Sequence, residues 1–169
     1  MDSVAFSVPP LGKATISTDG VGDVVVGAAV VTSPNTLAGV VRFNISGIGI
    51  AGVGSSAPVS GFLTPVRRES GGINTGVALY NPGSEAVTLS LTLRDSEGQT
   101  VTGGTSTIAD FPASGHLAQF IDTLFPDADT SDFEGVLVVE VTGGTVAATA
   151  LELGTSAGQF TTLPVTALE

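Results

Sequence analysis

The sequence predicts an all-β protein built as an antiparallel sandwich, and three observations carry that expectation. Helix-forming residues are scarce, with Lys and Arg together numbering only 5, and no stretch of useful length sets apolar residues at the i, i+3, i+4, i+7 spacing of an amphipathic helix. Turn formers are dense, with 23 Gly and 9 Pro among 169 residues, and the polar surface falls to Ser, Thr, Asn and Gln, which suit strands and turns. Short segments alternate apolar and polar side chains, as a strand with one buried and one wet face must. An apolar share of 42% and a mean hydropathy of +0.45 supply a core and argue against disorder.

The strands can be placed in order. Val77–Tyr80 comes first and stops at Asn81-Pro82-Gly83, a strong turn signal. Val87–Arg94 alternates without a break, and Asp95–Gly98 turns the chain. Thr105–Phe111 and Gly115–Ile121 follow, and a single helical turn fits only Ile121–Phe125, ended by Pro126. Gly135–Val141 is apolar enough for a central strand, Val146–Leu153 follows the Gly143-Gly144 turn, and Gln159–Val165 closes the series. Seven short strands at this spacing predict an immunoglobulin-like or fibronectin-like sandwich.

The chain also resembles itself. The turn Pro112-Ala113-Ser114-Gly115 has a counterpart in Pro9-Pro10-Leu11-Gly12, 103 positions earlier. Val30–Ser33 followed by Thr36-Leu37-Ala38 matches Glu140–Gly143 followed by Thr145-Val146-Ala147, and Phe62–Val66 matches Phe160–Val165. Landmarks in preserved order with a drifting offset are what kept strands and altered loops produce. The expected organisation is one truncated unit over residues 4–66 and one complete unit over residues 73–166, or a single domain combining the two. The truncated unit would contribute strands at Val4–Val8, Lys13–Thr18, Asp23–Thr32, Gly39–Ile45 and Phe62–Val66. Arg67–Gly72, charged and then Gly-rich, is the linker candidate, and Gly47–Gly54 reads as a hairpin or long loop.

Sixteen Asp and Glu against 5 Lys and Arg give a net charge of −11. Such a surface repels phosphate backbones and anionic lipids, so nucleic acid is not an expected partner. The absence of Cys removes disulfides, thiol catalysis and thiolate metal sites. The longest apolar stretch, Val24–Val31, is too short for a bilayer, so no membrane insertion is expected. Met1-Asp2-Ser3-Val4 has neither the basic nor the apolar region of a secretory leader, and the chain reads as an excerpt of a longer protein.

Chemistry-bearing residues are few. Asp127, Asp129, Asp132 and Glu134 fall within eight positions, and a hard cation such as calcium takes several oxygen ligands from a flexible loop. The EF-hand pattern fails, because its sixth position is Asp132 and its twelfth is Val138. A solvated acidic loop is the alternative. His116 is the only His and has no Cys beside which to act, and the lack of Trp with a single Tyr80 leaves little to stack on sugar rings. No catalytic or cofactor-binding residue is expected, and the chain is read as not an enzyme.

Gly76–Gly83, Leu89–Gly98 and Pro112–Phe120 together resemble an immunoglobulin-like β-sandwich module that recurs in large secreted or surface proteins of environmental bacteria. Ala51–Pro58, ahead of Phe62 and Pro65-Val66, is similar to that module's ending. The resemblance implies extracellular or cell-surface placement in a bacterium, tandem arrangement with neighbouring domains, and an accessory role; it carries over no catalytic residue. The chain departs from the module at its front, where the first unit lacks opening strands. The function expected is a structural or adhesive repeat module acting as a spacer or surface-interaction domain. Two rivals stand beside it. One is a polysaccharide-binding accessory module of a secreted enzyme, calcium-assisted through the Asp127–Glu134 loop. The other is a self-assembling surface or filament subunit whose unpaired strand edges add to those of neighbouring subunits; the partners expected are neighbouring domains, with polysaccharide or other surface proteins beside them.

Overall fold

The computed structural model describes residues 3–18, 21–23, 26–45, 49–154 and 160–169. Its regular elements are β1 Val40–Ile45, β2 Gly49–Gly54, β3 Gly61–Glu69, β4 Ile73–Tyr80, β5 Val87–Arg94, β6 Thr100–Phe111, β7 His116–Phe120, α1 Ile121–Leu124, β8 Phe133–Thr142, β9 Ala147–Gly154, β10 Phe160–Leu163 and β11 Thr166–Ala167. The protein is nearly all β, and every strand pair is antiparallel.

Alternation explains the strands that form. β5 buries Val87, Leu89, Leu91 and Leu93 and leaves the residues between them partly or fully exposed, so one face enters the core and the other meets water. β4 does the same with Ile73, Thr75, Val77 and Leu79. β8, flanked by β3 and β5, buries Leu137 and Val139 completely.

Two layers result. β4 pairs with β9 along its whole length and with β7 over Gly76–Tyr80, and β10 lies outside β9. The second layer runs β3, β8, β5, β6, with β11 against the start of β3. The layers join at one corner, where β3 and β4 share only the pairs Arg68 with Asn74 and Glu69 with Ile73, and again ahead of β3 and β9, where Val59 and Val146 form an isolated antiparallel bridge. Beyond that corner the strands part, and the buried Thr75 side chain takes over from the ladder. Its Oγ1 accepts from Arg67 N–H at 2.8 Å and donates to the Arg67 carbonyl at 2.9 Å. Phe62, Val66, Val77, Leu79, Leu91 and Leu137 fill the space between the layers, and α1 with Phe125 adds Ile121 and Leu124 to it.

In an immunoglobulin sandwich the first strand lies beside the second and the seventh beside the sixth. Here β3, the first of the layered strands, lies beside the sixth, β8, and the seventh, β9, lies beside the second, β4. β3 meets β4 only over two pairs at its end, and β10 and β11 follow β9, so the order departs from the immunoglobulin one. The stretch Arg67–Gly72 is therefore no linker: it is the end of β3 and the turn into β4. Charge and Gly mark a tight exposed turn as readily as a hinge.

The front of the chain differs from expectation. Val4–Val8 and Lys13–Thr18 form no strand, nor do the described residues of Asp23–Thr32. Val24 and Val25 lie outside the described residues. A strand requires a partner for its backbone groups, and alternation by itself does not supply one. Among the described residues the first strand is β1, which pairs antiparallel with β2; β2 lies alongside β10. Among the described residues, every exposed large apolar side chain except Phe120 precedes Ala51; they include Val4 at 66%, Ile16 at 59% and Val31 at 65% exposure.

Candidate functional site

Polar side chains gather at the end of the sandwich where β3 turns into β4. The turn places Ser70 beside the approach to β8, and Asp132 accepts there from Ser70 N–H at 2.9 Å and from Ser70 Oγ at 2.9 Å. Asp132 itself takes φ 52°, a left-handed conformation that Asp tolerates. Nearby, Asp129 accepts from the N–H of Ser131 at 3.1 Å and from its hydroxyl. The Ser131 hydroxyl and N–H hold the Asp129 carboxyl below the usual carboxylate range, and the Ser70 N–H and hydroxyl do the same for Asp132.

One strand further, α1 brings Asp122 to β4. Arg68 Nε lies 3.2 Å from Asp122 Oδ2, and Asn74 Nδ2 donates to Asp122 Oδ1 at 3.1 Å. Asn74 Oδ1 is buried without a hydrogen-bond partner. Arg67 Nε donates to Glu69 Oε1 at 2.9 Å, while Glu134 stands opposite Arg67 in the β3–β8 ladder. Two shallow depressions flank this cluster. One, about 280 Å³, is lined by Arg67, Asp132, Phe133 and Glu134; the other, about 450 Å³, by Ser70, Asn74, Phe120 and Leu153.

The four acidic residues singled out in the sequence are thus not brought to one point. Asp129 turns to its own loop, Asp132 to the β3–β4 turn, Glu134 to the ladder, and Asp127 lies in the turn after α1. Among the described residues no three His, Asp or Glu side chains gather as a bound cation would need. Ser70 donates to a carboxylate, but a carboxyl held below its ordinary value is a poor proton acceptor. His116 sits opposite Tyr80, at the far end of β7 from Asp122. The hydrogen bonds present here anchor the β3–β4 turn and the loop that leads into β8.

Sequence reasoning missed Ser70, Arg68, Asn74 and Asp122, because their partners lie 48 to 62 residues away. It also passed over Gly154-Thr155-Ser156-Ala157-Gly158, which has the spacing of a hydrolase nucleophile elbow. Residues 155–159 lie outside the described residues; the strands on either side, β9 and β10, pair antiparallel.

The opposite end of the sandwich is pinned by one buried side chain. The Asn81 amide NH2 lies within hydrogen-bonding distance of the carbonyl oxygens of Glu85 at 2.9 Å, Pro112 at 3.1 Å and Phe111 at 3.2 Å. Asn81 Oδ1 accepts from Gly83 N–H at 2.9 Å. Its backbone joins the same assembly: Asn81 N–H donates to the Gly115 carbonyl and Ser114 N–H to the Asn81 carbonyl, each at 3.0 Å. The two turns prominent in the sequence, Asn81-Pro82-Gly83 and Pro112–Gly115, are therefore one structural unit.

The Pro112–Gly115 turn and its counterpart Pro9–Gly12 share a backbone. Gly115 N–H donates to the Pro112 carbonyl at 2.9 Å, and Gly12 N–H to the Pro9 carbonyl at 2.9 Å. Their third residues, Ser114 and Leu11, take φ 56° and 58°. A Cβ at Gly115 would fall 2.6 Å from the Pro112 carbonyl oxygen, and one at Gly12 would fall 2.5 Å from Pro9 Cγ, so both turns exclude a side chain there.

Comparison with known protein families, with characterised proteins and with solved structures finds no match to this chain.

Proposed function

We propose that this chain is a non-catalytic structural repeat module, a spacer or surface-interaction domain of a larger extracellular bacterial protein that holds neighbouring domains in place. Its unit is an immunoglobulin-like sandwich whose strand order departs from the immunoglobulin one. The observation that carries the reading is the recurrence of one turn geometry at Pro9–Gly12 and Pro112–Gly115, 103 positions apart. The strand pairs support it too: β1–β2 begins two residues after Thr36-Leu37-Ala38, and β9–β10 begins at the last residue of Thr145-Val146-Ala147. In this alignment Phe62–Val66 opens the second unit rather than closing the first, since it pairs with β8.

Repetition of a folded unit serves length and projection, and the charged groups at the turn end are engaged in holding their own loops. The purified chain, incubated with polysaccharide and peptide substrates, is expected to give no specific turnover. Pulled from its ends by atomic force microscopy, it is expected to resist until the β3–β8 ladder shears in one step. Specific hydrolysis of any substrate overturns the reading.

A further inference from the structure

In the complete unit, the turn Pro112–Gly115 does not stand alone. Ser114 N–H and the Gly115 carbonyl are both taken by the backbone of Asn81, and the Asn81 amide lies within hydrogen-bonding distance of the carbonyls of Phe111, just before the turn, and Pro112, its first residue. The Pro9–Gly12 turn has the same internal bond and the same left-handed third residue. Yet Leu11 N–H and the Gly12 carbonyl, which correspond to the groups Asn81 takes, have no partner among the described residues, and the Leu11 side chain is fully exposed. On either side, Val4, Phe6, Ile16, Val30 and Val31 stand in water. A non-Gly residue at positive φ is unfavourable in isolation and persists where surroundings demand it. The front turn thus has the shape of a docked turn without its dock.

We propose that residues 3–54 are the closing half of a second sandwich unit, and that the exposed apolar and backbone groups of the described residues among them bind an antiparallel β-segment patterned like residues 61–103. That segment would supply counterparts of β3, β4, β5 and the start of β6, with a buried Asn in the loop after its second strand to seat the Pro9–Gly12 turn. The proposal rests on the repeat reading given above and adds its consequence: the recognition surface is the front arm, and its partner is a β-segment of stated pattern. A second copy of the whole chain is a poorer occupant, because its own Asn81 is already committed to its own Pro112–Gly115 turn.

The order of elements in the complete unit puts such a segment ahead of the arm. The test is therefore the full chain with a second copy of Gly61–Gly103 fused before residue 1, compared with the parent by amide hydrogen exchange. Exchange at the amides of residues 4–18 and 26–32 is expected to slow by roughly 100-fold or more in the extended chain, with a second unfolding transition. Replacing Asn by Ala at the position of Asn81 in the added copy alone is expected to return Leu11 and its neighbours to fast exchange while the parent's own unit melts unchanged. Unaltered exchange in the arm of a folded extended chain overturns the proposal. If the extended chain aggregates, the Gly61–Gly103 segment on a soluble carrier is presented to the parent chain, and failure to protect the arm overturns it equally. Protection of the arm in the parent alone, with a doubled mass in sedimentation, also overturns it in favour of self-association. None of these outcomes involves turnover, so they are separate from the test of the non-catalytic reading.

Discussion

Asn81 and Thr75 are wholly buried polar side chains, and each pairs backbone groups that would otherwise be left without a partner. Asn81 gathers the carbonyls of Glu85, Phe111 and Pro112 and the N–H of Gly83, joining two turns that are 30 residues apart in sequence. Burial without these bonds costs about 1–3 kcal/mol per group. Asn81→Ala is therefore expected to lower unfolding stability by about 2 kcal/mol or more, read from urea denaturation. Asn81→Asp should be no better, because a carboxylate has no hydrogen to donate to the carbonyls gathered there. At the other end, Asp129 and Asp132 are held ionised by Ser131 and Ser70. A carboxyl with a lowered folded value contributes stability that is complete above the unfolded value, near pH 3.9, and is lost as pH falls through the folded one. The melting temperature of the parent should exceed that of Ser70→Ala above about pH 4. The gap should then close as the pH is taken down through the acid range. A gap that widens in acid would contradict the assignment.

At the level of elements, β8 carries the second layer because it is paired on both sides, and Leu137 on it is fully buried. Leu137→Ala is expected to cost about 2–5 kcal/mol. Ile16, 59% exposed in the front arm, offers the contrast, since Ile16→Ala should change stability by no more than about 0.5 kcal/mol. Equal losses at the two sites would mean that the arm packs into the same core. β6 shows how an element meets a neighbour it is not paired with: Gly103 takes φ 72°, and a Cβ there would lie 2.2 Å from the Asp127 carbonyl oxygen. The long strand can pass under the loop after α1 only with Gly at that point.

Taken whole, the molecule is a two-layer sandwich with an apolar arm, carrying a net charge of −11. Like charges repel one another more in the compact chain than in the unfolded one, and salt screens that repulsion over a Debye length of about 10 Å at 0.1 M. The melting temperature should therefore rise when salt is increased from about 10 mM to about 300 mM. Only two salt bridges are present among the described residues, Arg67 with Glu69 and Arg68 with Asp122, so the loss of attraction is small beside the relief of repulsion. A fall in melting temperature would show that these pairs matter more than the net charge.

Much of the fold was legible in the residues because strand formation is partly local. Val87–Arg94 alternates strictly and is β5 to the residue, Asn81-Pro82-Gly83 ends β4, and the single helical turn falls at Ile121–Leu124. The same logic fails at Val4–Val8, which also reads as a strand, because a strand needs hydrogen-bond partners from elsewhere and none is at hand among the described residues. The acidic loop was visible as a run of carboxylates, but Ser70 as the partner of Asp132 was not, since 62 residues separate them. By itself the sequence determined the all-β class, the strands with buried faces, the turns and the acidic surface, for these follow from side-chain pattern and backbone preference over a few residues. Only the tertiary structure decided that β3 sits beside β8, that Asn81 holds the Pro112–Gly115 turn, and that the front arm stays open. Those outcomes depend on which distant backbone groups meet, and no local pattern specifies that.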